Sequence, residues 1–338
     1  MFNQMNKVMR KSKFLAAALT IIFGNMVCSA SSINKTTDER QNGVSVKVTT
    51  SNVPLLKLNN GVEMPQFGLG TFMIPDGEVS KNTVLTALKN GYRHIDTAHA
   101  YGNERSVGQA VRESGIPREE IWVTSKLWPN EYGEGKTLPA IDKMLERFGF
   151  DYIDLVYLHQ PVGDYVGAWK ELQKAVEQGK VRAIGISNFD FNDEIFSAIV
   201  DSMEMKPAAM QIECHPYAQR KHWQEKLKAN GIVLESWYPL GGRQSRGELL
   251  RDPVINRIAK AHGKTAAQVI IRWHIQEGFS VIPGTDNPDY IKENISVFDF
   301  ELTDQEMQDI RALNKEKRYF NMTFEQVTER FSRYEIND

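Results

Sequence analysis

From residue 54 onward, short runs of consecutive apolar residues alternate with longer stretches in which apolar residues recur every three or four positions. The short runs predict buried strands, and the longer stretches predict amphipathic helices. Candidate strands follow one another at 67–71, 94–98, 122–126, 153–159, 182–187, 208–213, 233–237 and 280–283. Helical patterns separate them, for example at 84–88, 141–145, 169–176, 195–199 and 266–273.

This alternation predicts an α/β fold, a (β/α)8 TIM barrel over residues 54–315, because repeated strand–helix units over this length are typical of that barrel. The alternative is an open, doubly wound sheet, which would hold a dinucleotide at a G-x-G-x-x-G turn. Residues 67–72, FGLGTF, supply only the first half of that motif, so the barrel is favoured. Ahead of it, Asn59-Asn60-Gly61 between two alternating runs predicts a β-hairpin, which we expect to plug the N-terminal end of the barrel.

Residues 1–30 differ from the rest of the chain. Basic residues precede an apolar run at 14–27, and the small residues Cys28-Ser29-Ala30 follow it. This pattern predicts a secretory signal peptide, because the run is too short for a comfortable transmembrane helix. Cleavage after Ala30, lipidation of Cys28, and a cytosolic protein with an unusual N-terminal tail all remain open. We expect an exported protein, periplasmic or membrane-anchored, if the signal functions, and a cytoplasmic one otherwise. Residues 31–53 predict a flexible linker, since they are rich in small polar residues.

Composition narrows the function classes. The chain has 338 residues, of which 41% are hydrophobic and 25% are charged, with a formal net charge of −2. Such a balance disfavours a nucleic-acid binder or a basic membrane-binding surface. If Cys28 is processed, Cys214 is the remaining cysteine, and no intrachain disulfide is expected in the barrel. The histidines lack the spacing of a metal-ligand motif, so we predict no metal site.

Four polar residues lie at the ends of three successive predicted strands or in the loop after one of them, and catalytic residues of such barrels gather at the C-terminal strand ends. They are Asp96, Tyr101, Lys126 and His159. A free tyrosine titrates near ~10, and we expect the Lys126 ammonium to lower that pKa while Asp96 supplies the counter-charge. His159 could then hydrogen-bond a carbonyl oxygen that Tyr101 protonates. Each residue alone also has a structural interpretation, as a salt-bridge partner, a core histidine or a rim aromatic.

Several blocks stand in the order and spacing of one family: GYRHIDTAHAYGNE, VTSKLW, DLVYLHQP, AIGISNF, QIECHP and VIPGT with IKEN. On these motifs, residues 54–315 resemble the aldo-keto reductases. The resemblance implies that Asp96, Tyr101, Lys126 and His159 form the catalytic tetrad, with Tyr101 as the general acid. It also implies a nicotinamide dinucleotide, NADP or NAD, bound across the barrel mouth.

The resemblance assigns cofactor contacts residue by residue. Those expected near the nicotinamide are Gly70, Thr71, Ser187, Asn188, Gln211 and Trp237, with Trp237 in place of the usual stacked tyrosine. Those expected near the pyrophosphate and adenosine are Leu240, Gly242, Thr285, Glu293 and Asn294. Tyr238 departs from the family, because relatives commonly carry a serine there.

Two further departures leave the choice between NADP and NAD open. Many relatives hold the 2′-phosphate of NADP with a lysine and an arginine, and Gly284 and Tyr290 stand at those positions. The loss of both cations removes charge-assisted hydrogen bonds to a phosphate. Asp286 could accept from a ribose hydroxyl instead, although Thr285 and Lys292 could still serve a phosphate in part.

Substrate contacts are expected in the loops and in the C-terminal tail, residues 316–338. The predicted pocket residues are Phe72, Met73, Trp128, Tyr132, Tyr319 and Phe320. Within the tail, Thr323 and Gln326 fit a capping box, and the helix that follows is expected mainly to pack against the barrel. These aromatic walls carry few charges, which suggests aldehydes or ketones of modest polarity.

The resulting prediction is an NAD(P)H-dependent reductase that converts an aldehyde or ketone, for example a sugar or a dicarbonyl, to the alcohol. The alternative is a non-enzymatic, cofactor-sensing regulatory subunit, since the same barrel occurs in that role. We expect a monomer whose partner is the small-molecule carbonyl substrate, without nucleic acid and without an obligate protein partner.

Overall fold

The computed structural model describes residues 51–336, so the predicted signal peptide and most of the predicted linker lie outside the described residues. In this range the strands are β1 Leu55–Lys57, β2 Glu63–Pro65, β3 Leu69–Gly70, β4 His94–Asp96, β5 Trp122–Leu127, β6 Ile153–Leu158, β7 Val181–Ser187, β8 Ala209–Glu213, β9 Val233–Trp237 and β10 Ser280–Val281. The helices are α1 Glu78–Lys89, α2 Glu104–Glu113, α3 Thr137–Phe148, α4 Tyr165–Glu177, α5 Asp193–Val200, α6 Lys221–Ala229, α7 Pro253–His262, α8 Ala266–Gln276, α9 Pro288–Ile295, α10 Asp304–Arg311 and α11 Phe324–Phe331.

Strands β3 to β10 form one parallel sheet in chain order, with helices between them. A parallel β-bridge between Phe67 and Val281 joins the segment before β3 to β10, the last strand of the barrel. Next to it, the Gly68 N–H donates to the Val281 carbonyl at 3.0 Å, and the Val281 N–H donates to the Gln66 carbonyl at 3.0 Å. These contacts close the sheet, which confirms the predicted (β/α)8 barrel.

Burial explains why the strands read as continuous apolar runs. Every residue of β5 and of β6 is buried, because a parallel strand of a barrel has helices on one face and the barrel interior on the other. The helices bury one stripe each; α4, for example, packs the fully buried Trp169 and Leu172 against the sheet. Polar residues inside such strands are therefore costly unless they find partners.

The predicted hairpin is present. Strands β1 and β2 pair antiparallel, with Leu56 opposite Met64. The Asn59 side chain donates to the Pro207 carbonyl at 2.8 Å, and the Asn60 side chain donates to the Arg182 carbonyl at 3.0 Å. Because Pro207 and Arg182 lie at the starts of β8 and β7, the hairpin covers the N-terminal end of the barrel, as predicted.

The predicted capping box of the tail is also present. The Thr323 hydroxyl accepts from the Gln326 N–H at 3.2 Å, and the Gln326 side chain accepts from the Thr323 N–H at 3.0 Å. This cap begins α11, whose Val327 is fully buried. None of the helices within residues 51–336 is long and apolar enough to cross a membrane.

Candidate active site

The four predicted catalytic residues meet at the C-terminal mouth of the barrel. Asp96 is the last residue of β4, Lys126 lies one residue before the end of β5, and His159 directly follows β6. Tyr101 ends a single turn of 3-10 helix, His99–Tyr101, in the loop after β4. The strand-end rule therefore brings together residues that are far apart in the sequence.

Asp96 and Lys126 form a buried ion pair. The Lys126 ammonium donates to both carboxylate oxygens of Asp96 at 2.7 Å and to the Thr97 carbonyl at 2.8 Å. Lys126 is 0% exposed and Asp96 is 2% exposed. All three protons of the ammonium are therefore satisfied, which is what a buried lysine requires.

Tyr101 lies beside this pair, with the Lys126 Nζ 5.0 Å from the centroid of its ring. Burial raises the pKa of Tyr101 well above its ordinary value, and the negative charge of Asp96 adds to that effect. The expected lowering by Lys126 is wrong for this arrangement of the protein alone, because the ammonium is directed at Asp96 and largely neutralised by it. Tyr101 is therefore held in its protonated form.

His159 faces Tyr101 from the next strand but one, with ring centroids 5.7 Å apart. Burial, and secondarily the Lys126 charge, lower the pKa of His159 well below its ordinary value. Its imidazole is therefore neutral and can donate one N–H. The His159 Nδ1 atom is buried and finds no hydrogen-bond partner within residues 51–336. A neutral imidazole with one unused ring nitrogen suits hydrogen bonding to a bound ligand.

Asn103 is a site residue that the sequence reasoning missed. Its side-chain amide is fully buried and donates to the Thr71 and Ile74 carbonyls at 3.1 and 3.0 Å. These two carbonyls flank the exposed Phe72 and Met73, and Met73 has a φ of 68°. Asn103 therefore fixes a turn that a methionine alone would rarely adopt, and the turn places the Phe72 ring 5.0 Å from that of Tyr101.

Three of the predicted nicotinamide contacts form one hydrogen-bonded group. The Asn188 side chain donates to the Ser187 hydroxyl at 3.1 Å and to the His159 carbonyl at 3.0 Å. It accepts from the Trp237 indole N–H at 3.0 Å. Asn188 has a φ of 64°, a conformation that asparagine tolerates better than most residues. The group holds Trp237 at the edge of the mouth next to His159.

Gln211 has a different set of neighbours. Its amide nitrogen donates to Asp96 Oδ2 at 2.8 Å and to Glu235 Oε1 at 2.7 Å. Glu235 is 0% exposed and lies on β9, directly opposite Gln211. Sequence reasoning missed Glu235, although a carboxylate inside an apolar strand was the same signal that marked Asp96.

Residues at the end of β3 and in the loop after β10 pack closely together at the mouth of the barrel. The fully buried Thr71 hydroxyl donates to the Asp96 carbonyl at 2.9 Å. A Cβ at Gly70 would lie 2.7 Å from the Ile282 carbonyl, and one at Gly284 would lie 2.8 Å from the Gly70 carbonyl. Both positions therefore need glycine in this backbone arrangement, and a lysine at 284 would require the chain to move.

The predicted pyrophosphate and adenosine contacts lie in the loop after β9, in the loop after β10 and on α9. Leu240 packs against the core, and Gly242, with a φ of 59°, lies under the ring of Tyr238. Thr285 and Gly284 lie in the loop after β10, whereas Glu293, Asn294 and Tyr290 lie on α9. The Thr285 hydroxyl accepts from the Asn287 N–H at 3.1 Å, Glu293 accepts from the Thr265 hydroxyl at 2.6 Å, Asn294 is buried, and Tyr290 is 56% exposed.

Aromatic side chains surround the mouth on the side of His159. The Trp128 ring lies 5.1 Å from His159, 5.0 Å from Phe331 and 5.8 Å from Tyr334. Its indole N–H donates to the Tyr334 carbonyl at 2.7 Å. The end of α11 and the residues after it therefore reach the mouth. Tyr132, by contrast, is 3% exposed and donates to the Leu127 carbonyl at 3.2 Å, so its prediction as a pocket wall is wrong.

The two tail residues predicted for the pocket occupy different places. Phe320 lies 5.8 Å from Trp237, at the cofactor side of the mouth. Tyr319 lies against His215, and its hydroxyl donates at 3.0 Å to Glu248, in the segment between β9 and α7. The backbone N–H groups of both residues donate to the buried Glu213, at 2.6 and 3.1 Å. This carboxylate at the end of β8 fixes where the tail crosses the mouth.

The residues predicted to contact the nicotinamide have side chains that suit this group. A hydroxyl (Ser187) and two amides (Asn188 and Gln211) can pair with a carboxamide, and the indole of Trp237 offers an aromatic face beside them. Asn188 donates to the His159 carbonyl and Gln211 donates to Asp96, so these residues adjoin the catalytic group. A cofactor held there would lie beside a proton donor.

Comparisons with known proteins identify the family of the chain. Residues 66–315 match the model of the Aldo/keto reductase family. The chain is 45% identical over 268 residues to 9,11-endoperoxide prostaglandin H2 reductase of Trypanosoma cruzi, covering 79% of this chain and 94% of that protein. It is 44% identical over 270 residues to glyoxal reductase of Bacillus subtilis, covering 80% and 96%. An aldo-keto reductase from Bombyx mori, solved in complex with NADP, superimposes with a TM-score of 0.74 at 31% identity, covering 81% and 96%.

Proposed function

The chain belongs to the aldo/keto reductase family, and from this premise we propose that it reduces a small aldehyde or ketone to the alcohol with NAD(P)H, using Tyr101 as the proton donor. The observation that carries the proposal is the buried Asp96–Lys126 pair beside a protonated Tyr101, with the neutral His159 facing it. The presence of all four residues at one mouth favours an enzyme over a barrel that only binds a cofactor.

A bound reduced nicotinamide supplies the hydride in this chemistry. The chain's own residues handle the carbonyl oxygen. His159 can donate an N–H to that oxygen and orient it, because its imidazole is neutral. Tyr101 can give it a proton, because its raised pKa keeps the phenol protonated. Acid catalysis by a positioned side chain contributes roughly 10²- to 10⁴-fold in rate. The Lys126 ammonium, held by Asp96, lies 5.0 Å from the centroid of the Tyr101 ring, so the ion pair adjoins the phenol that gives up its proton.

For the cofactor, we propose a reduced preference for NADP over NAD. Support comes from the segment after β10, where the exposed Tyr290 on α9 and the tightly packed Gly284 provide no cation for a 2′-phosphate. A charge-assisted hydrogen bond to phosphate is roughly twice as strong as a neutral one, so losing such contacts brings the two affinities closer together.

For the substrate, we propose a small dicarbonyl or another aldehyde of modest polarity. The aromatic rings around Trp128 and Phe72 carry no charge, which disfavours ionic substrates. Similarity to a protein named glyoxal reductase makes a dicarbonyl the first compound to test. We also expect the barrel to act as a monomer.

The decisive experiment compares Tyr101→Phe with wild type for NADPH- and NADH-dependent reduction of methylglyoxal. We expect turnover to fall by about 10²-fold or more, the lower end of what acid catalysis contributes, while nucleotide binding is kept. The matched control is Tyr152→Phe, which lies before β6 at the opposite end of the barrel. Wild type that binds the dinucleotide but reduces no carbonyl would favour the regulatory alternative. Equal activity of Tyr101→Phe and wild type would reject Tyr101 as the donor.

We further propose that residues 1–30 direct export of the barrel. The support is the basic and apolar pattern of that segment. Cell fractionation of the full chain, compared with a version that starts at residue 31, tests this. Identical distribution of both versions would reject it.

A further inference from the structure

Glu235 is a buried carboxylate that the proposed reaction does not use. It lies on β9, level with Gln211 on β8 and with Ser280 on β10 in the strand register. Its side chain is 0% exposed. A charge placed there is costly unless hydrogen bonds and nearby opposite charge offset the loss of water, so its contacts identify what it does.

Three donors surround the carboxylate. Glu235 Oε1 accepts from the Gln211 amide at 2.7 Å and from the Tyr157 hydroxyl at 3.1 Å. Glu235 Oε2 accepts from the Ser280 hydroxyl at 2.7 Å, and the His94 Nε2 lies 3.9 Å away. The carboxylate is therefore fixed from three strands. Of its partners, Gln211 is the one that also reaches the catalytic pair.

The amide nitrogen of Gln211 sits between two carboxylates. It donates to Glu235 Oε1 and to Asp96 Oδ2, so both of its hydrogens are used. An ionised carboxylate only accepts hydrogen bonds. Turning the amide over would set its oxygen against two carboxylate oxygens and would lose two charge-assisted bonds. The orientation of Gln211 is thus determined by its neighbours.

We propose that Glu235 is a positioning residue that acts through Gln211: it keeps the amide nitrogen in the barrel interior, so that the carbonyl oxygen is the end that accepts from the carboxamide N–H2 of the cofactor. Asp96 alone would engage one hydrogen of the amide and leave the other unpaired. With both carboxylates in place, the amide can only accept from the cofactor. Glu235 thereby links recognition of the carboxamide to the Asp96–Lys126 pair. This inference rests on the proposed function, which puts a nicotinamide at Gln211.

The test uses a cofactor pair that differs in one group. The 3-acetylpyridine analogue of the dinucleotide keeps the carbonyl of the carboxamide and replaces its N–H2 with a methyl group. Dissociation constants of both nucleotides are measured by quenching of tryptophan fluorescence for wild type and for Glu235→Gln. This variant preserves the volume of the side chain and removes its charge, so a hydrogen bond from the Gln211 amide is no longer charge-assisted.

We expect Glu235→Gln to weaken binding of the natural dinucleotide about threefold to tenfold, the loss that corresponds to one hydrogen bond of ordinary strength. Binding of the analogue, which has no N–H2 to offer, should change less than about twofold. The control is Tyr157→Phe, which removes a different donor from the same oxygen and leaves both the charge and the Gln211 contact. It should bind both nucleotides as wild type does.

Equal weakening of both nucleotides by Glu235→Gln, or no weakening of either, would overturn the inference. If that variant does not fold, Ser280→Ala replaces it, because it loosens the other oxygen of Glu235. A smaller loss confined to the natural dinucleotide supports the inference, and equal losses again overturn it. Wild type provides the separate check on the proposed function: if it neither binds a dinucleotide nor reduces a carbonyl, the proposed function itself fails.

Discussion

The buried pair of Asp96 and Lys126 gives the most quantitative prediction. Replacing Lys126 with methionine keeps the length of the side chain and removes its charge. Asp96, 2% exposed, then loses the three-proton partner that contacts both of its oxygens at 2.7 Å. Breaking a buried pair by removing one partner costs about 3–5 kcal/mol, because an uncompensated charge stays buried. We therefore expect Lys126→Met to lower the free energy of unfolding by about that amount and to abolish turnover.

The double variant, Asp96→Asn with Lys126→Met, separates the pair from the sum of its parts. It leaves no uncompensated charge, so much of the loss should return, with a coupling free energy of about 2–3 kcal/mol. The assay is urea unfolding of wild type, both single variants and the double variant. An exposed pair in the same chain, Lys170 and Glu134 at 3.5 Å, is the control, and its coupling should be at most about 0.5 kcal/mol. Losses from the two single variants that simply add would refute the reasoning.

Three further predictions concern Tyr101 together with His159, the buried His274, and Tyr290. Because the pKa of Tyr101 is raised and that of His159 is lowered, both side chains should stay uncharged through the neutral pH range. The kcat for reduction should therefore not change with pH in that range. A fall of kcat with rising pH well below ~10, the ordinary tyrosine pKa, would contradict this. Burial lowers the pKa of His274 to about 4, so between that pH and the ordinary histidine pKa the unfolded chain binds a proton that the folded chain does not. The free energy of unfolding should therefore fall by about 3 kcal/mol as the pH drops from the ordinary histidine range toward 4. Urea unfolding of His274→Leu should show a smaller pH dependence than that of wild type or of the exposed control His222→Gln, and an unchanged dependence would reject the assignment. Tyr290→Arg should tighten binding of NADPH about tenfold relative to binding of NADH, since it restores one charged contact to the 2′-phosphate. Fluorescence titrations that show no change in the ratio of the two dissociation constants would mean that the 2′ position of the adenosine ribose does not lie near residue 290.

Much of the fold followed from local patterns. The strand predicted at 233–237 coincides with β9, and the hairpin and the cap of α11 formed where Asn59-Asn60-Gly61 and Thr323 indicated. Periodicity and turn chemistry suffice for such elements, since they depend on near neighbours in the chain. The strand-end rule then located Asp96 and Lys126, because the barrel converts strand ends into one mouth.

What the sequence left out depends on the direction of side chains. Lys126 was expected to lower the pKa of Tyr101, yet its ammonium donates to Asp96 and Thr97. The register of the strands determines which of these groups the ammonium reaches. Tyr132 was expected in the pocket and turns into the core instead. Glu235 offered the same signal as Asp96, a carboxylate in an apolar strand. Its hydrogen-bond partners come from three other strands, so these contacts could be identified only from the structure.

The central claim, hydride and proton delivery to a carbonyl at this mouth, is tested most directly by isotope transfer. Wild type is incubated with methylglyoxal and reduced dinucleotide that carries deuterium at C4, in each of its two stereochemical forms, and the product is analysed by mass spectrometry. The account predicts that one labelled form yields an alcohol with deuterium on the former carbonyl carbon, and that Tyr101→Phe yields far less of it. Alcohol without the label from either form would contradict the account.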